Sequence, residues 1–293
     1  MRIGALLVAI FSAVSHADEP ELPAPKPPYS LPWQLRPLAP VRVVRLDDSL
    51  DLSNNGQADV LLASGAWSFH PRMYALARAG VVFNGPFRGA SGNSVTNLLL
   101  GASYLHPAIG DVRLGAFLGV TAPIASGGGN TPDPGAKNAN AAAILARSAM
   151  DNAMFAANDL ALIPGLSAAY VKGGFTVQLE LTVLELLRVR GETAQADASK
   201  TNFTSGLHVG YFVSPQFSVG GELRLQRWLS TPAAVAKDET LRQTVSAALG
   251  ARLHLKAGAL TLRPGVSYSL GLVGPMVAGG HNVGQFDLPV AFP

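Results

Sequence analysis

The sequence predicts an all-β chain: a closed, antiparallel, up-and-down transmembrane β-barrel of about twelve strands, with a partly helical long extracellular loop. Three observations predict it. Apolar residues make up 48% of the 293 residues and charged ones only 14%, yet beyond the first residues no apolar run is long enough to cross a bilayer as a helix. Side-chain character alternates with period two through most of the chain. The connections between the alternating segments sort into short and long. Lipid-facing and lumen-facing residues take turns along a membrane strand, so hydrophobicity never collects into a block.

The elements follow in order. Arg2, the apolar stretch from Gly4 to Val14 and the small residues Ser15-His16-Ala17 read as an export signal over 1–17. That stretch is shorter than the roughly 20 residues a helical span requires. With no cysteine, the exported chain depends on its hydrogen-bond ladder and packing, without disulfides. Residues 18–40 are dense in proline (PELPAPKPPYSLPWQLRPLAP over 20–40) and read as an extended, polyproline-like leader rather than a packed element. The barrel occupies 41–293.

Strands are expected at 42–52, 58–69, 72–84, 95–106, 111–122, 159–172, 175–189, 202–213, 217–229, 240–255, 259–271 and 284–292. In the ninth, Phe217, Val219, Leu223 and Leu225 share one face, and Ser218, Glu222, Arg224 and Gln226 the other. Tight turns at 70–71, 107–110, 173–174, 214–216 and 256–258 alternate with longer connections at 53–57, 85–94, 123–158, 190–201, 230–239 and 272–283. A soluble sandwich has no reason to sort its loops onto two rims, whereas a membrane barrel does. An even strand count returns the last strand to the first and removes an edge that lipid could not solvate. Trp67, Tyr74, Tyr104, Tyr170, Tyr211 and Phe217 gather near the short turns, as an interfacial aromatic girdle would. Pro164 and Pro264, each followed by glycine, predict bulges, and Pro289 also falls inside a strand. Within the long loop, the alanine-rich stretch 138–158 favours helix.

The inward rows carry the chemistry. Arg78, Arg113, Glu180, His208, Glu222, Arg224, Arg242, Arg252 and Arg263 are expected to line the lumen. The tight turn at 214–216 puts His208 opposite Glu222, within ion-pair reach and read as lumen structure. Ser205 faces the other way, so His208 has no nucleophile and no catalytic site is expected. His70, His106 and His254 fall at short turns, and His281 in a long loop. Asp47, Asp48 and Asp51 do not converge on one strand face, no His or Cys cluster has metal-ligand spacing, and the glycine-rich 126–130 lacks the Lys-Ser/Thr of a phosphate loop. Neither metal nor cofactor is implied. A formal charge of +3 is too small to point to nucleic acid. Inward glycine and serine (Gly206, Gly210, Gly220, Gly250, Ser267) leave room in the lumen.

At the chain end, Phe286, Leu288, Val290 and Phe292 alternate up to Pro293. This resembles the terminal strand of bacterial outer-membrane β-barrel proteins, and the pattern extends over the whole mature chain. It resembles, more weakly and without a binding motif, the barrels associated with aromatic-compound degradation. The resemblance implies an outer-membrane location, both ends and the leader in the periplasm, contact with outer-membrane lipid, and a terminal aromatic read by the barrel-assembly machinery. Pro293 after Phe292 departs from that signal. The function expected is a narrow or gated channel for passive passage of small polar or anionic solutes; the alternative is a non-conducting structural or surface-interaction barrel acting through its long loops.

Overall fold

A computed structural model describes residues 30–129, 133–191 and 197–293; the expected export signal lies outside them. Its strands are β1 (Arg42–Ser53), β2 (Gly56–His70), β3 (Met73–Pro86), β4 (Gly92–Val95), β5 (Leu98–Leu105), β6 (Val112–Ala122), β7 (Asp159–Lys172), β8 (Phe175–Arg188), β9 (Ser199–Ser214), β10 (Phe217–Trp228), β11 (Gln243–Leu253), β12 (Leu255–Ala257), β13 (Leu260–Leu262), β14 (Gly265–Val273) and β15 (Asn282–Ala291). Twelve are staves, joined antiparallel in the order β1-β2-β3-β5-β6-β7-β8-β9-β10-β11-β14-β15. β15 pairs back onto β1 from Val43↔Ala291 to Leu52↔Asn282, so the sheet closes. β4 adds to β3, and the β12–β13 hairpin extends the short-turn rim.

The alternation in sequence becomes the two faces of the wall. On β10, Leu223 is 46% exposed on the outside while Glu222 and Arg224 are 4% and 2% exposed on the inside. Water is a poor solvent for the outer face, and a hydrocarbon band around a closed ladder is the medium that suits it. Outward Trp67, Phe69, Tyr170, Phe175 and Tyr211 stand at the short-turn rim as a girdle. Tyr74 does not join them. It points inward, fully buried, and donates its hydroxyl to the Pro37 carbonyl at 3.0 Å.

Other expectations are adjusted locally. The β1–β2 connection is a two-residue turn at Asn54-Asn55, shorter than its long-rim position predicts. Neither Pro164 nor Pro264 makes a bulge. The β7–β8 ladder skips Ile163 and Pro164, with one register continuing on either side (Leu162↔Glu185, Gly165↔Thr182), because proline has no N–H to offer. Pro264 lies between β13 and β14, outside any strand. Register shifts occur instead at Phe217/Ser218, Val245/Ser246 and Ser68/His70.

The long β6–β7 connection folds into the barrel. Asp133 caps a helix, Pro134–Ala146, by accepting from the Gly135 and Ala136 amides at 2.7 and 3.2 Å. Proline at its start and the alanines within suit this position. The helix lays buried Ala139, Ala143 and Ala146 toward the wall of β1–β4. Close approach is possible because Gly92 faces Gly135; a Cβ on Gly92 would lie 2.6 Å from the Gly135 backbone. The helix ends where Ser148 and Ala149 adopt positive φ (54° and 55°), and a short helical turn, Asn152–Phe155, follows.

Candidate functional site

The described part of the proline-rich leader is inside the barrel. Residues 30–39 are buried or half-buried, and their contacts trace a loop that enters and leaves at the short-turn rim. Ser30 lies against Gly210 near the β9–β10 turn, Leu35 reaches Gly206 midway up β9, and the Val41 amide donates to Ser68 Oγ back at the rim. Proline signals extended, unpacked backbone, whereas residues 30–40 bend at 33–35 and 38–39 and are packed. A chain without a ladder of its own can still pack, provided side chains satisfy its amides and carbonyls.

Here they do. Glu222 accepts the Trp33 amide at 2.5 Å and the Gln34 amide at 3.3 Å. Glu180 accepts the Arg36 amide at 2.9 Å and pairs with its guanidinium at 3.1 Å. Arg45 donates to the Pro32 carbonyl at 2.9 Å and the Trp33 carbonyl at 2.5 Å, and Gln178 Nε2 to the Arg36 carbonyl at 2.5 Å. The Arg252 guanidinium sits 4.9 Å over the Trp33 ring, and Arg36 sits 4.0 Å over Phe117.

The inward glycines complete the socket. A Cβ on Gly206 would meet Leu35 Cδ2 at 2.3 Å, and one on Gly250 would meet Trp33 Cζ2 at 2.7 Å. The space these residues leave is therefore occupied by the leader.

From the long-loop side the helical loop meets the leader. Arg147, fully buried, donates to Gln34 Oε1 and Ser49 Oγ at 2.9 Å each and pairs with Asp151 at 3.0 Å. Asp151 also holds Arg78 at 2.8 Å, and Arg224 Nη1 donates to Ser148 Oγ at 3.2 Å. The cations share carboxylates. Asp287 serves Arg45 at 3.3 Å and Arg252 at 2.7 Å, and Glu222 pairs with Arg224 at 2.9 Å while His208 stands 3.6 Å away.

The remaining sequence-predicted residues fall as follows. Arg113 is half-buried on the inward row of β6. Arg263 is half-buried at the short-turn rim, and its carbonyl accepts from Arg252 Nη1 at 3.1 Å. Arg242 is not on a strand: it ends a 3-10 turn, Glu239–Arg242, at the long-loop rim, where it pairs with Glu239. Asp238 there stops the strand early by capping the turn at the Thr240 amide, 3.0 Å away.

Sequence reasoning missed several partners. Arg45 faces inward as part of the leader's cradle, Arg147 joins loop to leader, and Ser218 Oγ lies 2.8 Å from His254 Nε2 beneath Phe212. His281 Nδ1 meets Asp51 at 2.6 Å and ties the β14–β15 loop to β1.

With a closed twelve-stave wall, an apolar exterior and a charged lumen established, the fold can be compared. No protein-family model matches the sequence, and no curated protein is similar to it. Solved structures do match. NanC porin superposes with a TM-score of 0.54 at 7% identity, covering 85% of this chain and 99% of its own. An outer-membrane channel from Pseudomonas putida F1 superposes at 0.53 with 14% identity, covering 89% and 98%. The fold is that of a bacterial outer-membrane channel barrel. At such identities the likeness is one of fold, and what this barrel carries must be read from its own lumen.

Proposed function

We propose that this outer-membrane barrel is a gated channel for small polar or anionic solutes, held closed by its own residues 30–40. The observation that carries the reading is the construction of the closure. The wall is hollowed by glycine at Gly206, Gly210, Gly220 and Gly250, and a segment outside the ladder occupies the hollow, by itself at Gly206 and together with His208 or Ser267 at the other three. Barrels of about 8 strands are filled by their walls and those of about 16–18 leave a water channel, so twelve staves leave a lumen that a single looped segment can close.

The segment is bound through hydrogen bonds and ion pairs, which water can replace, and through buried Leu31, Trp33, Leu35 and Leu38, whose exposure sets the cost of withdrawal. In the proposed orientation both ends and the short turns face the periplasm, so the plug withdraws toward that side. The C-terminal strand, Asn282–Ala291, is the element handed to the assembly machinery. Arg78, Arg113, Glu180, His208, Glu222, Arg224, Arg252 and Arg263 line the path once the plug moves, and Arg242 stands at its outer rim. Asp287 and Asp151 each serve two arginines, but Arg45 also holds Asp47 at 2.6 Å and Asp51 is a further inward carboxylate, so the excess of positive charge along the path is small and favours anions weakly.

A second reading, a non-conducting barrel that works through its long loops, is favoured by the filled lumen itself. Planar-bilayer recording separates the two. The chain lacking residues 30–39 should conduct in discrete steps with a reversal potential displaced toward the anion's. A membrane that stays silent with that deletion, in protein shown to be folded by heat-modifiable gel migration, overturns the channel reading.

A further inference from the structure

The lumen wall holds Trp33 at three separate points. Its amide donates to Glu222 Oε1 at 2.5 Å, its carbonyl accepts from Arg45 Nη2 at 2.5 Å, and its ring lies in a slot of its own. The slot is cut by glycine: a Cβ on Gly250 would stand 2.7 Å from ring atom Cζ2, and one on Gly220 3.5 Å from Cζ3. The Arg252 guanidinium covers the ring at 4.9 Å, and the His208 ring, tilted by 56°, lies 6.4 Å away. Trp33 Nε1 has no hydrogen-bond partner among the described residues, so the slot receives the ring by shape and π face and not by the indole nitrogen. Around it Arg45, Arg252 and Arg224 stand in direct pairs with Asp47, Asp287 and Glu222, each cation against a carboxylate.

A nitrogen and a carbonyl on one carbon, with an aromatic ring one methylene away, are also the parts of a free aromatic amino acid. We infer that the Trp33 socket is a binding site for aromatic α-amino acids, and that the leader closes the barrel by seating its own tryptophan in their place. The inference rests on the reading that residues 30–40 withdraw, and it names the solute that reading leaves open. Each handle suits the free molecule better than the peptide. An ammonium has three donors, so at Glu222 Oε1 it replaces both the Trp33 amide and the Gln34 amide, which stands at 3.3 Å, with charge-assisted bonds. A carboxylate offers two oxygens to Arg45, whose Nη2 and Nη1 hold the Trp33 and Pro32 carbonyls in the closed barrel. Matched charges in the wall suit a zwitterion, which brings no unpaired charge into the lumen. The ring takes the cation–π contact with Arg252, which a saturated ring cannot make.

The test is calorimetric titration in lipid nanodiscs, which needs no conductance. In the full chain carrying Trp33→Gly the leader stays and only the ring slot is emptied, so indole should bind saturably there and not to the parent. In the chain lacking residues 30–39, shown to be folded by heat-modifiable gel migration, L-phenylalanine should bind saturably. Cyclohexylalanine, with the same handles and no π face, should bind about tenfold more weakly, as should phenylalaninamide, which lacks the carboxylate. Arg252→Lys keeps a charge beside Asp287 but loses the flat face over the ring, and should weaken L-phenylalanine about fivefold and cyclohexylalanine little. Indole ignored by Trp33→Gly overturns the inference, whether or not the deletion folds. So does a folded deletion that takes no phenylalanine, or binds phenylalanine and cyclohexylalanine equally. A deletion that binds phenylalanine and never conducts sinks the channel and leaves the site standing; one that conducts and ignores phenylalanine does the reverse.

Discussion

Glu222→Gln isolates the anchor of the plug. In the native protein the Glu222 carboxylate accepts the Trp33 and Gln34 amides and pairs with Arg224. Glutamine keeps the length and one acceptor oxygen but removes the charge, and its NH2 must face either Arg224 or the leader amides, all of them donors. A hydrogen bond to a charged acceptor is worth roughly 1.5–3 kcal/mol and a neutral one about 1 kcal/mol. Weakening two leader amides therefore takes roughly 2 kcal/mol from the plugged state. At about 1.4 kcal/mol per decade, the withdrawn population rises about 30-fold. Single-channel recording reads this directly as open probability, with the deletion of residues 30–39 as the fully open reference. If that deletion conducts and Glu222→Gln is indistinguishable from the parent, the plug is not held through this carboxylate and the reasoning fails.

Gly206→Leu should raise conductance with every charge in place, because the new side chain takes the position of Leu35 and overpacking of this kind opposes binding by about 1–3 kcal/mol; Gly284→Ala, with nothing within 4 Å, should leave recordings unchanged. Arg147→Met removes the partner of Gln34, Ser49 and Asp151 and should loosen the helical loop by about 3 kcal/mol, read as faster amide exchange across Pro134–Ala146; unchanged exchange would dismiss the arginine as its anchor. At the short-turn rim, burial, reinforced by Arg263 and Arg252, pushes His254 down to about 4. Between that value and the unfolded value near 6.5 the unfolded chain binds the extra proton, so stability falls as pH drops through this window, by at most about 3 kcal/mol. Urea midpoints at pH 7 and pH 4.5 should therefore converge in His254→Gln, and an undiminished difference would place the acid sensitivity elsewhere.

The wall was legible because lipid imposes a simple rule on it. Each stave must be greasy on one face and polar on the other, and Phe217 through Trp228 state that rule without help from neighbours. Closure followed from the even count, and the His208–Glu222 contact from one tight turn, which fixes register across β9 and β10. The plug was not legible because proline restricts local backbone shape and says nothing of location, and the bends at 33–35 and 38–39 that fold the segment back to its rim are made against the lumen wall. A usable signal was nonetheless present. Gly206, Gly210, Gly220 and Gly250 fall on the inward faces of three adjacent staves, and a leader carrying Trp33, Leu35 and Leu38 has side chains to fill such a row. Tyr74 misled for a related reason. Its place near a short turn suits an interfacial girdle, but one residue of phase decides between lipid and lumen, and β3 alternates too weakly to fix that phase by itself.

The two halves of the closure also differ in what their removal asks of the barrel. The helical loop is bound largely by alanine, methionine and phenylalanine packed on Val60, Leu62, Leu184 and Leu186, so pulling it away exposes apolar surface to water. The leader is bound through amides, carbonyls and charged side chains and also through Leu31, Trp33, Leu35 and Leu38, all at 2–5% exposure, with Leu31 and Leu38 part of the same apolar cluster as the loop. When it leaves, Glu222, Glu180 and Arg45 lose partners, but the vacated lumen is wide enough to admit water, which hydrates them. The exchange is one set of hydrogen bonds for another, roughly 1.5–3 kcal/mol apiece where one partner is charged, and not the stranding of buried charge. Withdrawal of the leader would therefore strand no charge, and its cost would lie in the apolar surface of Leu31, Trp33, Leu35 and Leu38 carried into water.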